Sequence, residues 1–388
     1  MKVLVVGGGM AGLTYAIISA RNGNQVVLCE RNARVGKKIS ATGNGKCNIG
    51  NLHANQSCYN PSPIVQSVLQ SVSVDEYLQF LSSCQILTYA DETGRLYPLS
   101  DSASNVVDCL RHSANVAGVT TLCDTEVLGV ERQGQNFVVN LNGTKQTFQK
   151  VVLAMGSGSG AVAPKISNFV PQNYLTEIQP SLCPVKVVNM DKTLNGIRAK
   201  ANVSLLQNGQ VVATESGEVQ FKDYGLSGIC IFNLSAVVAR TLVKQNNAEF
   251  SFQIDLVPSM TQSQLANVLA SRTGNQMSQI FYGILHNKLA ESVVKSAKDC
   301  SAESLAFSAK NFTFSLQKLL DWSMSQVTCG GISASVVEPQ TLTLPNGLVA
   351  LGEMLDVDGK CGGFNLFFAG ASAIHTFTQR ERQIAFGG

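Results

Sequence analysis

The feature that most constrains this chain is a glycine triplet placed between a strand pattern and a helix pattern. Lys2 to Val6 is a short β-branched run, followed at once by Gly7-Gly8-Gly9-Met10-Ala11-Gly12. A small-residue helical stretch then reaches about Asn22, Gly23 breaks it, and Gln25 to Cys29 reads as a second strand. Glu30 closes that strand eighteen residues after Gly12. Strand, glycine turn, helix, strand and acid together form a dinucleotide-binding pattern, whereas a lone G-x-G-x-x-G is a weak signal. Gly7 permits the tight turn, Gly9 lets the backbone approach a pyrophosphate, and Gly12 lets the helix lie close to the strand. The helix N-terminus favours phosphate through its dipole and its unpaired N–H groups, and Glu30 is placed to accept from ribose hydroxyls. The same uncharged run from Val3 to Ala20 superficially resembles a secretory signal. It carries four glycines and falls short of the roughly 20 apolar residues of a membrane span. The glycine spacing explains it better.

With 388 residues the chain has room for two or three domains. A net charge of +3, with no block of five like charges, disfavours a nucleic-acid platform, which needs an extended basic face. The densest basic stretch, Arg31, Arg34, Lys37 and Lys38, reads as a solvated loop or as a group near phosphate. Eleven scattered cysteines with no C-x-x-C fit reduced thiols, hence an expected cytoplasmic location, and no metal site is expected. The expected partner is a small-molecule substrate, with no nucleic acid and no membrane, for a monomer or small homo-oligomer.

Past the fingerprint, residues 61–83 and Ser102 to Val116 look helical. A meander is expected over Val119 to Cys123, Val127 to Glu131, Phe137 to Leu141 and Gln146 to Gln149, with Asn142-Gly143 as its two-residue turn. Val151 to Met155 is fully apolar, as a buried parallel strand should be, and runs into Gly156-Ser157-Gly158-Ser159-Gly160. Alternating strands follow a boundary near 183, with another hairpin turn at Asn208-Gly209 and a helix near 229–244. A helical region then opens with Ser259 and Gln262 spaced as a capping box. Late in the chain, Leu348 to Leu351 is an apolar strand ending at Gly352-Glu353. A glycine-rich loop, Gly359 to Gly363, then leads into a helix from about Asn365. A nicotinamide-only enzyme has no use for such a second cofactor-facing segment. An FAD-binding one does: the acid reaches the ribityl chain and the helix N-terminus faces the flavin pyrimidine edge.

Four further segments resemble the BaiN/YhiN-type flavoprotein family, whose members are described as NAD(P)/FAD-dependent oxidoreductases or aminoacetone-oxidase-like proteins. They are Gly36 through Gly43-Asn44-Gly45-Lys46-Cys47-Asn48; Gly94-Arg95-Leu96-Tyr97-Pro98; Gly217-Glu218 through Gly225-Leu226-Ser227-Gly228; and Thr328-Cys329-Gly330-Gly331 joined to Gly352 through Asn365. The chain departs from the family pattern at Lys46, where arginine is usual, after Gly156, at Thr341 to Asn346 and in the helix around Ala371. The resemblance implies an α/β fold with a split, glutathione-reductase-like Rossmann FAD domain. Its parts are 1–183 and 313–388, with an inserted β-barrel at 184–256 and a small helical domain at 257–312.

The expected cofactor is FAD, with NAD(P)H as a transient donor at the flavin face, since no second complete fingerprint is present. The expected cofactor-facing residues are Gly7, Gly9, Met10, Ala11, Gly12, Glu30, Arg31, Lys38, Gly43, Asn44, Gly45, Val127, Gly156, Gly352, Glu353, Gly363, Phe364 and Asn365. Asn44, Lys46, Arg95 and Asn365 are the candidate catalytic groups, with Asn48 and Asp356 also polar and nearby in the motifs. For each the competing reading is a hydrogen bond that shapes its own loop. The expected activity is a flavin oxidoreductase acting on a small organic molecule; the alternative is a flavin-binding regulatory or scaffold protein with weakened catalysis.

Overall fold

The computed structural model describes residues 1–157, 166–272 and 277–387, without the side chain of Asn44. Residues 158–160 of the second glycine stretch lie outside the described residues. The chain divides into two compact units, one of Met1–Gly158, Val162–Ile178 and Thr328–Gly388, the other of Ser159–Ala161 and Gln179–Val327.

The first unit is organised around a five-stranded parallel sheet in the order Val349–Ala350, Lys150–Leu153, Lys2–Val6, Gln25–Cys29, Thr120–Leu122. Val3, Leu4 and Val5 sit in its middle and are fully buried, which is why the run is continuous rather than alternating. The last strand comes from the far end of the chain, so the expected split is present. Helix Met10–Arg21 is buried on every side from Met10 to Ser19. It packs against helix Phe364–His375, and the Tyr15 and Phe377 rings lie 4.9 Å apart.

Two elements of the first unit differ from the sequence expectation. Val119 to Cys123 is not part of the meander: Thr120–Leu122 joins the parallel sheet, Thr120 opposite Val27. The meander has three strands, Val127–Gln133, Asn136–Leu141 and Thr144–Phe148, with Asn142 and Gly143 both at positive φ in the turn, as a primed hairpin turn requires. The helical region 61–83 is two helices, Pro63–Ser71 and Val74–Ser83. Ser73 breaks it by capping the second: its hydroxyl accepts from Glu76 N at 3.1 Å while the Glu76 carboxylate accepts from Ser73 N at 3.0 Å. A small antiparallel sheet of Gly50–Asn51, Arg95–Pro98 and Thr88–Ala90 completes this unit.

The second unit is a closed barrel of Val185–Val187, Gly225–Ser227, Gln210–Phe221, Arg198–Gln207, Phe250–Asp255 and Phe312–Leu319. Val203, Leu205, Val219, Phe221, Phe252 and Ile254 are fully buried, each alternating with a more exposed neighbour. The helices Gln262–Ala270, Asn287–Ser296 and Ala302–Lys310 are inserted between its last two strands. The expected return at 313 therefore comes later. Phe312–Leu319 pairs with both Phe250–Asp255 and Val185–Val187, and without it the barrel keeps two open edges. The capping box also shifts by two residues: Thr261 and Gln264 make the reciprocal bonds, not Ser259 and Gln262.

Among the described residues no helix is long and apolar enough to cross a membrane.

Candidate functional site

The first turn is built as the glycine spacing predicts. Gly7 has φ +105°, and a Cβ there would fall 2.4 Å from the Ala154 carbonyl oxygen of the neighbouring strand. At Gly12 a Cβ would lie 1.9 Å from the Gly7 carbonyl oxygen, so no larger residue fits between helix and turn. Gly9 is different. Its backbone is extended, with φ −83°, and nothing lies within 4 Å of the position its Cβ would take. The protein's own packing does not demand glycine there, and the space above the helix is open. The first helical hydrogen bond runs from Leu13 N to Gly9 O at 2.9 Å, so the N–H groups of Met10, Ala11 and Gly12 precede the ladder. They lie at the positive end of a twelve-residue helix.

Glu30 is buried behind this turn. One carboxylate oxygen accepts from Gly8 N at 2.9 Å and the other from Asn32 N at 2.9 Å. The second oxygen also accepts from Asn32 Nδ2, so the oxygen bonded to Gly8 N is the one that retains a lone pair for a hydroxyl donor. Arg31 is exposed beside it, and Val127 is buried at the start of the meander. Gly156, just past strand Lys150–Leu153, has φ +69° and open space at its Cβ position.

The return segment comes directly against this turn. A Cβ on Gly352 would lie 3.2 Å from the Ala11 Cβ, and the Gly352 N–H donates to Ser372 Oγ at 3.0 Å. Glu353 is tied to the first part of the chain by an ion pair with Lys38 and accepts from Thr328 N at 3.0 Å. Lys38 and Glu353, 315 residues apart, thus form one contact that spacing does not reveal.

The second glycine turn is held by residues of the Gly43 to Asn51 segment. Gly363 caps helix Phe364–His375 at φ +92°, where a Cβ would fall 2.1 Å from the Gly50 carbonyl oxygen. With its amide turned so that both atoms find partners, Asn48 bridges the two: its oxygen accepts from Gly363 N at 3.0 Å and its nitrogen donates to Gly50 O at 2.9 Å. Asn51 donates to Gly362 O at 2.9 Å, a role that the sequence reading missed; only its closeness to the Gly43 to Asn48 motif hinted at it. Phe364 is buried, and its carbonyl accepts from the Tyr59 hydroxyl at 2.9 Å.

The candidate catalytic groups fare differently. Asn365 closes its own loop, accepting from Gly359 N at 2.8 Å and donating to Gly359 O at 2.9 Å. Lys46 is exposed and donates to Asp101 Oδ2 at 3.1 Å. Asp356 accepts from Thr176 Oγ1 at 3.1 Å. The side chain of Asn44 lies outside the described residues; its backbone belongs to the short turn Thr42–Gly45, with Gly43 and Gly45 at positive φ. Arg95 stands beside the second glycine turn: its Nε is 3.7 Å from where a Cβ on Gly362 would lie. Cys47 is fully buried, and burial pushes its thiol up while a Thr42 hydrogen bond pulls the other way. It is a packed thiol rather than a reactive thiolate.

His375 is structural. Its Nε2 donates to Pro339 O at 2.8 Å, while Nδ1 is buried with no partner among the described residues. Burial lowers its pKa, and the nearby Arg382 adds to this against the Pro339 hydrogen bond. The unfolded chain therefore binds the imidazole proton more readily than the folded one. Stability should fall as pH drops below about 6.5, and His375→Gln, followed by thermal melts from pH 5 to 8, should flatten that slope.

Strand, glycine turn, helix, strand and buried acid, with a late strand and a second glycine turn from the far end, define a split Rossmann-type dinucleotide fold. The chain belongs to the HI0933-like protein Rossmann domain family, whose model matches residues 1–378, the BaiN/YhiN type that the motifs resemble. It is 29% identical to the 3-dehydro-bile acid delta(4,6)-reductase of Clostridium scindens, across 96% of this chain and 97% of that protein. It is 25% identical to a ribosomal RNA dihydrouridine synthase of Haemophilus influenzae, across 98% of each chain, and 24% identical to that of Escherichia coli, across 95% of each. The expected class, an oxidoreductase, agrees with the family and with the relative named as a reductase.

Proposed function

We propose that this protein is an FAD-dependent oxidoreductase that reduces an activated carbon–carbon double bond in a small, ring-containing organic molecule. The observation that carries the reading is the open space at Gly9 over the N-terminus of helix Met10–Arg21, with Gly352 of the return segment closed against Ala11. The N–H groups of Met10, Ala11 and Gly12 would hold the pyrophosphate, and Glu30, fixed by Gly8 and Asn32, would accept from the adenosine ribose. Glu353, steadied by Lys38, is the acid for the ribityl chain. The N-terminus of helix Phe364–His375, fixed by Asn48, would stabilise negative charge at the pyrimidine edge. The bound flavin supplies the hydride chemistry; the protein orients it and tunes its charge. NAD(P)H, taken up briefly at the flavin face, is the proposed donor.

Purification without added cofactor should give a yellow protein that releases FAD on denaturation. Anaerobic NAD(P)H should bleach it, and a conjugated enone should restore the colour. Colourless protein that takes up no added FAD overturns the reading. Yellow protein inert to every donor and acceptor favours the regulatory alternative. The relatives named for ribosomal RNA motivate a second reading, a uridine substrate, which the same assay tests with ribosomal RNA as acceptor. Against it stands the near balance of 29 Lys and Arg with 26 Asp and Glu.

A further inference from the structure

The peptide that joins Gly362 to Gly363 is gripped from both sides by asparagines of a distant segment. Its carbonyl accepts from Asn51 Nδ2 at 2.9 Å, across 311 residues of sequence. Its N–H donates to Asn48 Oδ1 at 3.0 Å, in the amide orientation described above. In a trans peptide these two groups point in opposite directions. Each amide is itself oriented by backbone groups. Asn51 is 4% exposed, and its oxygen accepts from His53 N at 2.9 Å, so its nitrogen must face Gly362. The Asn48 nitrogen donates to Gly50 O at 2.9 Å and to Leu96 O at 3.3 Å, so its oxygen must face Gly363. The segment that carries both side chains is pinned to the small sheet. Ile49 N donates to Leu96 O and Leu52 N to Gly94 O, each at 2.8 Å.

The backbone alone does not fix this peptide. Gly362 and Gly363 have φ +127° and +92°, and glycine populates either sign of φ, so the plane between them has two accessible orientations. Turned over, it would set its N–H against the Asn51 amino group and its carbonyl against the Asn48 oxygen. The two side chains therefore select one orientation by polarity. That plane leads directly into helix Phe364–His375, whose first internal bond runs from Phe367 N to Gly363 O at 3.0 Å. We propose that Asn48 and Asn51 are positioning residues that lock the Gly362–Gly363 peptide and, through it, set how strongly the helix N-terminus favours electron-rich over oxidised flavin. The main hold on FAD lies at the other glycine turn, so the lock acts on redox poise more than on cofactor affinity. The proposal rests on the flavin reading above and adds how the poise of that site is set.

The test uses the full-length protein with FAD bound and sulfite as the probe. The sulfite sulfur forms a bond to N5 of oxidised flavin, an electron pair moves to the N1–C2=O edge, and the yellow colour bleaches. The dissociation constant of sulfite thus reads how well the site favours negative charge at that edge. Asn51→Leu, similar in volume but without a donor, should weaken sulfite about tenfold, the scale of a partly buried helix-end contact. FAD affinity should change by less than about threefold. Asn48→Ala should weaken sulfite by a similar factor, and the double variant should fall short of the product of the two, because both act on one plane. Asn51→Leu leaves the partner of the Gly363 N–H in place. Hydrogen exchange at that amide in cofactor-stripped protein should nonetheless rise about tenfold as the plane is released. Melting curves check each variant, and Asn51→Ala replaces Asn51→Leu if leucine prevents folding. No bleaching of the wild type, sulfite affinity unchanged in the variants, FAD affinity falling in step with it, or Gly363 exchange unmoved overturns the lock. Wild-type protein that takes up no FAD instead overturns the flavin reading, and exchange on the stripped protein still decides whether the peptide is locked.

Discussion

Replacing Gly9 by valine should leave the fold standing and abolish tight dinucleotide binding. The backbone at Gly9 is ordinary for an L-residue and nothing lies within 4 Å of the new Cβ. The melting temperature of cofactor-stripped protein should therefore stay within about 1–2 °C of the wild type, a change worth under about 0.5 kcal/mol. FAD affinity should fall by roughly 100-fold, about 2.7 kcal/mol, because the added side chain fills the volume through which phosphate meets the helix amides. Gly12→Val should do the reverse first. Its Cβ falls 1.9 Å from the Gly7 carbonyl oxygen, an overlap that forces helix and strand apart at about 1–3 kcal/mol or more. Stripped protein is the proper comparison, since bound cofactor adds stability by mass action. If Gly9→Val melts as low as Gly12→Val, or still copurifies with FAD, the open space at Gly9 is not the cradle.

Arg382→Met should be the most damaging single change outside the site. Arg382 is 5% exposed, and its guanidinium ties the C-terminal helix Gln379–Phe386 to its neighbours. It donates to Ser71 O at 2.6 Å, to Ile374 O at 3.1 Å and to Phe377 O at 3.0 Å, and pairs with Glu76 Oε1 at 3.1 Å. Methionine fills much of the volume but takes the arginine's N–H groups away from four carbonyls, the Ser71 hydroxyl and the Glu76 carboxylate, at a cost of about 3–5 kcal/mol. Urea unfolding of cofactor-stripped protein should show the midpoint falling accordingly, and a loss below about 1 kcal/mol would show that water replaces the arginine. The pH dependence should follow. Burial works to raise the Glu76 carboxyl, but the Ser73 N–H and Arg382 outweigh it and hold it low. The stability this carboxylate contributes is complete above the usual carboxylate range and is lost as pH falls through its lowered folded value. Arg382→Met should shrink that acid-side loss.

The fingerprint from Lys2 to Glu30 was legible because each element there depends on neighbours within thirty residues. A β-branched run, glycines at fixed offsets and a small-residue helix carry their own geometry. The hairpins at Asn142-Gly143 and Asn208-Gly209 were legible for the same reason: the turn dipeptide dictates positive φ at both residues. Thr120–Leu122 misled because so short a strand beside a meander reads the same whichever sheet it joins. Phe312–Leu319 misled likewise, since its two partners are distant in sequence.

By itself the sequence determined the class of fold, the first glycine turn and the second glycine turn late in the chain, all properties of local backbone freedom and side-chain volume. Tertiary structure alone decided which charges meet and which glycines are forced by packing. Lys38 reaches Glu353, Arg382 reaches Ser71, and Asn365 turns back to its own loop. Gly12 is pinned by the Gly7 carbonyl while Gly9 faces open space. Those outcomes depend on distances between segments as much as 315 residues apart, and such distances exist only once the sheet has brought the two ends of the chain together.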